Sequence, residues 1–142
     1  VIVLDASVTL AGFFEDERTP SIVAIFDSLA ASYAVVPGLW RLEVANGFRM
    51  AVRRGRANTE FRDAALARLM RLPITIDDDT NTHAWDETLR LADRHDLTPY
   101  DASYLELAQR RRVALATLDR ALHAAAELIG VQTIDTGLRA HR

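Results

Sequence analysis

The chain is expected to fold as an α/β protein, in three α/β/α layers around a central, mainly parallel sheet. Two observations predict this class. Short apolar, largely β-branched runs alternate with segments of helical period along the chain, as crossover units demand. The opening run, Val1-Ile2-Val3-Leu4, is apolar without a break, which suits a strand covered on both faces. A third observation sets the scale: 142 residues with no linker, low-complexity tract or repeat suit a single domain over 1–142.

The elements follow in order. After the first strand, a helix is expected through Leu10-Ala11-Gly12-Phe13-Phe14, then a polar loop from Glu15 to Pro20. Ile22, Ile25, Phe26 and Leu29 recur at helical spacing and mark a helix over 21–31. Tyr33-Ala34-Val35-Val36 reads as the second strand, closed by Pro37-Gly38. Leu39 to Arg53 reads as a helix, with Leu42, Ala45, Arg49 and Val52 at intervals of three and four, and Gly55 breaks it. Asn58-Thr59-Glu60 begins another helix that runs to Arg71. Pro73-Ile74-Thr75-Ile76 is a short strand, Asp77-Asp78-Asp79-Thr80 a solvated turn, and His83 to His95 a helix. Thr98 caps a helix from Pro99 to Arg111, and Val113 to Thr117 is the next strand. A short helix starts at Asp119 or Arg120 and ends before Gly130, and Val131-Gln132-Thr133-Ile134 is a final strand.

Composition narrows the function. All 17 basic residues are Arg, against 20 acidic ones, for a net charge of −3. Overall charge therefore does not announce a nucleic-acid binder, although patches can act locally. The absence of Lys excludes mechanisms that need a catalytic lysine, and the absence of Cys excludes thiolate metal sites, disulfides and cysteine nucleophiles. The longest charge-free stretch, Ser28 to Trp40, is too short and too broken to span a bilayer. No secretory leader is legible, so a cytoplasmic protein away from membranes is expected.

The tripeptide Asp-Ala-Ser occurs twice, at 5–7 and at 101–103, in unlike surroundings. In open α/β sheets, sites form beyond the carboxyl ends of the strands. Asp5 ends the first strand, Glu43 lies early in the helix after the second, Asp101 is in the first turn of its helix, and Asp119 follows the strand at 113–117. Parallel neighbouring strands put all four on one rim. Each acid also has a plainer explanation. Asp119 suits a helix N-cap, and Thr98-Pro99-Tyr100-Asp101 resembles a capping box. Glu43 resists such an account, since its neighbours are apolar apart from Arg41. Two carboxylates about 5 Å apart repel by about 3 kcal/mol at an effective dielectric near 20. Four together call for protonation or a cation. Hard oxygen ligands without Cys favour Mg2+ or Mn2+, which suits phosphodiester hydrolysis by polarising the phosphate and acidifying an attacking water.

The stretches VIVLDAS, PGLWRLEVANGF, LTPYDASYLELA and LATLDRAL, in this order and over nearly the whole chain, resemble the PIN-domain ribonucleases. More closely they resemble the VapC toxins of bacterial toxin–antitoxin pairs. The resemblance implies a PIN-like three-layer fold and an Mg2+-dependent (Mn2+-tolerant) endoribonuclease. Its acidic metal pocket would be Asp5, Glu43, Asp101 and Asp119. It places Ser7, Asn46 and Thr117 where such domains carry small polar residues near the metal. It further implies an RNA substrate, inhibition by a small cognate VapB-type antitoxin, a homodimer and a larger assembly with the antitoxin.

Other features carry less. Arg53-Arg54-Gly55-Arg56 and Arg110-Arg111-Arg112 suit either RNA phosphates or helix C-termini, and the second reading is preferred for 110–112. Trp40 and Tyr100 suit core packing better than base stacking. His83, His95, His123 and His141 show no ligand spacing. Two rival classes stay open. One is a catalytically silent PIN-fold module that only binds RNA or protein. The other is an Mg-binding receiver or aspartyl phosphatase domain, which normally requires a lysine.

Overall fold

The computed structural model describes residues 1–138 of the chain. Its sheet has four parallel strands, β1 (Ile2–Leu4), β2 (Ala34–Val36), β3 (Ile74–Ile76) and β4 (Ala114–Ala116), in the order β3-β2-β1-β4. Ile2 sits beside Ala34 and Ala114, Leu4 beside Ala116, and Ala34 beside Ile74. Val3, Leu4 and all of β2 are buried, as unbroken apolar runs require, whereas β3 at the edge is partly wet. The expected final strand is reduced to one parallel bridge, Thr133 to Leu115. Leu115 N–H donates to the Gln132 carbonyl at 2.8 Å and Ile134 N–H to the Leu115 carbonyl at 2.9 Å.

Helices α1 (Ala6–Ala11), α2 (Pro20–Ser28), α3 (Trp40–Arg53), α4 (Thr59–Leu69), α5 (Thr80–His83), α6 (Glu87–His95), α7 (Pro99–Arg111) and α8 (Arg120–Leu128) complete the described residues. The first helix begins directly after Asp5, earlier than Leu10–Phe14 was expected to place it. The expected helix over 83–95 is two, because the chain breaks at Ala84–Asp86. In α3 the buried face is Trp40, Val44, Phe48 and Ala51. Leu42, one of the residues whose spacing marked the helix, is exposed. Trp40 is buried as expected, but Tyr100 is exposed. His141 lies outside the described residues.

Asn58, Thr98 and Asp119 cap their helices where the sequence signals them, each accepting a backbone N–H from three residues on, and Thr19, expected in a loop, does the same for α2. Helix α7 is buried continuously from Ala102 to Ala108, and packs on β1, β4, α6 and α8. It therefore sits inside the molecule rather than on its surface.

Asp77 is the main correction to the solvated-turn expectation. It follows β3, donates its N–H to the Val36 carbonyl at 2.8 Å, and is buried. Arg110 grips it through two nitrogens, Nη2 at 2.6 Å and Nη1 at 3.1 Å, and bonds buried Glu106 through Nε at 2.7 Å. Arg110 is thus neither a simple helix-end charge nor free for RNA. Burial pushes the Asp77 carboxyl up, but the Arg110 bond and charge, with Thr80, outweigh it and leave it below its ordinary 3.8. Removing Arg110 would strand two buried carboxylates. Arg110→Met is expected to cost about 3 kcal/mol at neutral pH in a guanidinium melt. The same change at exposed Arg111 is expected to stay within about 0.5 kcal/mol.

Candidate active site

Parallel strands bring their carboxyl ends to one rim, and Asp5 stands at its centre. Its N–H continues the ladder to the Ala116 carbonyl at 3.1 Å. Its side chain is 5% exposed. Although Asp5 occupies the N-cap position of α1, its carboxylate does not cap the helix. Instead Ser7 Oγ and Thr117 Oγ1 both donate to its Oδ2, each at 2.7 Å. Each hydroxyl is oriented in turn. Ser7 Oγ accepts Leu118 N–H at 3.1 Å, and Thr117 Oγ1 accepts Asp119 N–H at 3.0 Å. The short loop after β4 is thereby tied to the end of β1.

Glu43 reaches the same region from α3. The start of α3 is locked to α1: Trp40 Nε1–H donates to Thr9 Oγ1 at 3.0 Å, and Thr9 Oγ1 donates to the Asp5 carbonyl at 3.1 Å. Farther along, a side chain at Gly47 would run into Leu10, so the glycine lets α3 approach α1 closely. Glu43 is half-buried, and its Oε1 accepts the Tyr104 hydroxyl of α7 at 2.5 Å. Asp101 lies one turn before Tyr104 on α7, its N–H capped by Thr98 Oγ1 at 3.1 Å. Asp119 caps α8 through Oδ1, which accepts Leu122 N–H at 2.8 Å.

Asp5, Glu43 and Asp101 each feel the charge of another acid at the rim. Burial pushes the Asp5 carboxyl above 3.8 against the Thr117, Ser7 and Ala6 hydrogen bonds, and the Asp119 charge adds to the rise. Burial likewise raises Glu43 above 4.5, opposed by the Tyr104 bond and assisted by the charges of Asp5 and Asp101. Burial also raises Asp101 above 3.8, with the charges of Asp119 and Asp5 adding to it. Among the described residues, no three His, Asp or Glu side chains converge closely enough to ligate one ion as they stand. The donor chemistry nevertheless fits a hard cation, since Mg2+ keeps several waters and needs only one or two carboxylates beside a substrate phosphate.

Ser7 and Thr117 both bond Asp5. Asn46 is exposed, and its side chain makes no hydrogen bond or ion pair among the described residues. Tyr104 was missed from sequence, although its spacing of three from Asp101 puts both on one helix face. Of the 53–56 cluster, Arg56 is committed to Asp16 at 3.1 Å and Glu17 at 3.0 Å, and lies over Phe14, while Arg53 and Arg54 stay exposed.

The PIN domain family matches residues 2–128. The chain belongs to the PIN domain family. PIN domains are generally nucleases and typically use divalent metals. This PIN domain is similar to PAE2754 from Pyrobaculum aerophilum, with 26% identity over 96% of this chain and 91% of that one, at a TM-score of 0.71. It shares the fold of FitAcB from Neisseria gonorrhoeae, with 18% identity over 96% of this chain and 99% of that one, at a TM-score of 0.66. FitAB bound to an IR36 DNA fragment aligns at 17% identity over 100% and 99% of the two chains, at a TM-score of 0.58. No curated protein matches the chain. Among the described residues of this PIN domain, no helix is long and apolar enough to cross a membrane.

The raised acids set a pH dependence. Asp5, Glu43 and Asp101 hold protons more tightly folded than unfolded, so the folded state binds more protons above their ordinary 3.8–4.5. Stability must then fall as pH rises through that window. Asp77 acts in the opposite sense, but its contribution is lost only as pH falls below its ordinary 3.8. The metal-free melting temperature is therefore expected to rise as pH is lowered from neutrality to about 5. Asp5→Asn is expected to flatten that rise, as a calorimetric pH series will register.

Proposed function

We propose that the chain is a Mg2+-dependent endoribonuclease, with Mn2+ as a substitute, acting as the toxin of a VapBC-type pair. The reading rests on one observation: Asp5, Glu43 and Asp101, held from separate elements at the strand rim, each lie within reach of another acid's charge, Asp119 among them. Such an arrangement is costly to folding and useful to a cation. Asp5, Glu43, Asp101 and Asp119 are the residues that would hold the ion. When bound, it supplies neutralising charge to a scissile phosphate and acidity to an attacking water.

The remaining roles belong to the chain itself. Ser7 and Thr117 fix the Asp5 carboxylate by occupying Oδ2. Asp119 keeps its cap through Oδ1, and a carboxylate has a second oxygen for other work. The exposed Arg53 and Arg54 are the members of their cluster available to RNA phosphates. The partner expected from the VapC resemblance is a small antitoxin whose tail carries an Arg and apolar anchors. Its guanidinium suits bidentate pairing with these acids. Exposed Leu42 on α3 offers an apolar contact. A homodimer and a cytoplasmic location accompany this reading.

A second reading, a PIN domain that only binds, draws on the spacing of the acids, no three of which converge as they stand. Chelator-sensitive RNA cleavage separates the two. Asp5→Asn and Asp101→Asn are expected to lower Mg2+-dependent cleavage at least 100-fold or so while preserving the circular dichroism spectrum. Asp119→Asn is the sharper variant, because Asn caps a helix as well as Asp does. It is expected to keep the melting temperature and lose cleavage, and full activity in all three variants would refute the assignment. A second expectation concerns the partner. Charge reversal of the Arg in the tail of a co-expressed antitoxin is expected to relieve inhibition, and unaltered inhibition would count against occlusion of the acids.

A further inference from the structure

Tyr104 is fully buried, yet its hydroxyl does not end in the apolar core. It donates to Glu43 Oε1 at 2.5 Å, across 61 residues of sequence. Among the described residues this is the one side-chain hydrogen bond joining α3 to α7. The phenol also lies within reach of the Asp5 charge and the Ala6 N–H. Burial first, then the negative charges of Asp5 and Glu43, hold the phenol far above its ordinary ionisation range, so it remains a donor.

Packing alone does not call for that oxygen, since a buried Phe fills nearly the same space. A buried phenol does need a polar partner, and here the partner is a member of the acid group. Glu43 in turn needs a restraint. It is long and half-buried, and the charges of Asp5 and Asp101 press on it. With no fixed donor, the lowest-energy course for such a side chain is to rotate towards water and leave the group. Asp5 has Ser7 and Thr117 as donors, and Asp119 has its place at the head of α8. Tyr104 is the corresponding donor for Glu43.

We propose that Tyr104 is the positioning residue for Glu43: its hydroxyl holds one carboxylate oxygen and so keeps Glu43 among the acids, ready to share a divalent ion. The proposal rests on the reading of these acids as a metal pocket. Tyr104 acts through Glu43 and is assigned no contact with substrate.

The test compares wild type, Tyr104→Phe, Glu43→Gln and the double variant. Mn2+ binding is read from the free-ion signal in electron paramagnetic resonance, and RNA cleavage is followed across Mn2+ concentration. Tyr104→Phe is expected to bind Mn2+ about 10-fold more weakly, in the range typical of lost outer-shell partners. Its half-saturating Mn2+ for cleavage is expected to rise by the same factor. Its KM for RNA and its kcat at saturating Mn2+ are expected to stay within about 2-fold. Adding Tyr104→Phe to Glu43→Gln is expected to change affinity by no more than about 2-fold, because the two act as one unit. In unsubstituted protein carrying 13C at the tyrosine Cζ, the Tyr104 signal is expected to shift on Mg2+ titration, which keeps the question answerable if Tyr104→Phe does not fold. Wild type that binds Mn2+ with Tyr104→Phe unchanged, independent losses in the double variant, or a Tyr104 signal indifferent to Mg2+ would each overturn the proposal alone. Wild type that takes up no Mn2+ would overturn the metal-pocket reading, and the proposal with it.

Discussion

A carboxylate buried at the end of a central strand is costly, and the surroundings of Asp5 answer that cost. Two hydroxyls meet its Oδ2, and each hydroxyl is itself held by a backbone N–H after β4. The Asp5 carbonyl accepts Thr9 Oγ1–H, and the Asp5 N–H extends the ladder to β4. Trp40 then docks the start of α3 on Thr9. The strand order places β1 beside both β2 and β4, so everything fixed to Asp5 is fixed to the middle of the sheet. Hydrogen bonds do not neutralise the charge entirely, and the acids around it add to the burden. A buried acid left with a raised proton affinity costs the fold stability at neutral pH.

Helix α7 carries the second half of the arrangement. It brings Asp101 in its first turn, Tyr104 one turn later, and Arg110 near its end. Its middle, from Ala102 to Ala108, is buried on every side, so it runs through the molecule rather than over its surface. At one end it meets the acids, and at the other Arg110 neutralises Asp77 and Glu106. The same Asp77 accepts Thr80 Oγ1–H, and Thr80 accepts Gly38 N–H at 2.8 Å just before α3. The loop that launches α3 is therefore braced from the β3 side as well as from α1. The two kinds of buried acid differ in outcome for a plain reason: Asp77 has a guanidinium, and Asp5 has only neutral donors.

Much of this was legible in the sequence. The alternation of strand and helix foretold the parallel sheet, and Thr98, Asn58 and Asp119 marked their helices by capping chemistry. The four acids stood at strand and helix edges where a rim must form. What was not legible depended on contacts distant in sequence. Asp77 sits in a run of three acids, and nothing local says that the first is buried while its neighbours stay exposed. Its partner is 33 residues away. The buried face of α3 was not legible, because apolar residues occur on more than one side of that helix and its packing on α1 and α4 selects among them. The last strand reduces to a bridge of two backbone hydrogen bonds around Leu115 on the outer edge of β4. Tyr104 read as core, which it is, and its oxygen gave no sign of where it pointed.

The central proposal is that the acids at the rim form one charge group able to take a cation, with Asp5 at its heart. The most direct measurement is the ionisation of the Asp5 carboxyl by 13C NMR, with and without Mg2+. The account predicts a metal-free value above the ordinary 3.8 and a fall when Mg2+ is added. A value at or below 3.8 in metal-free buffer, indifferent to Mg2+, would contradict it.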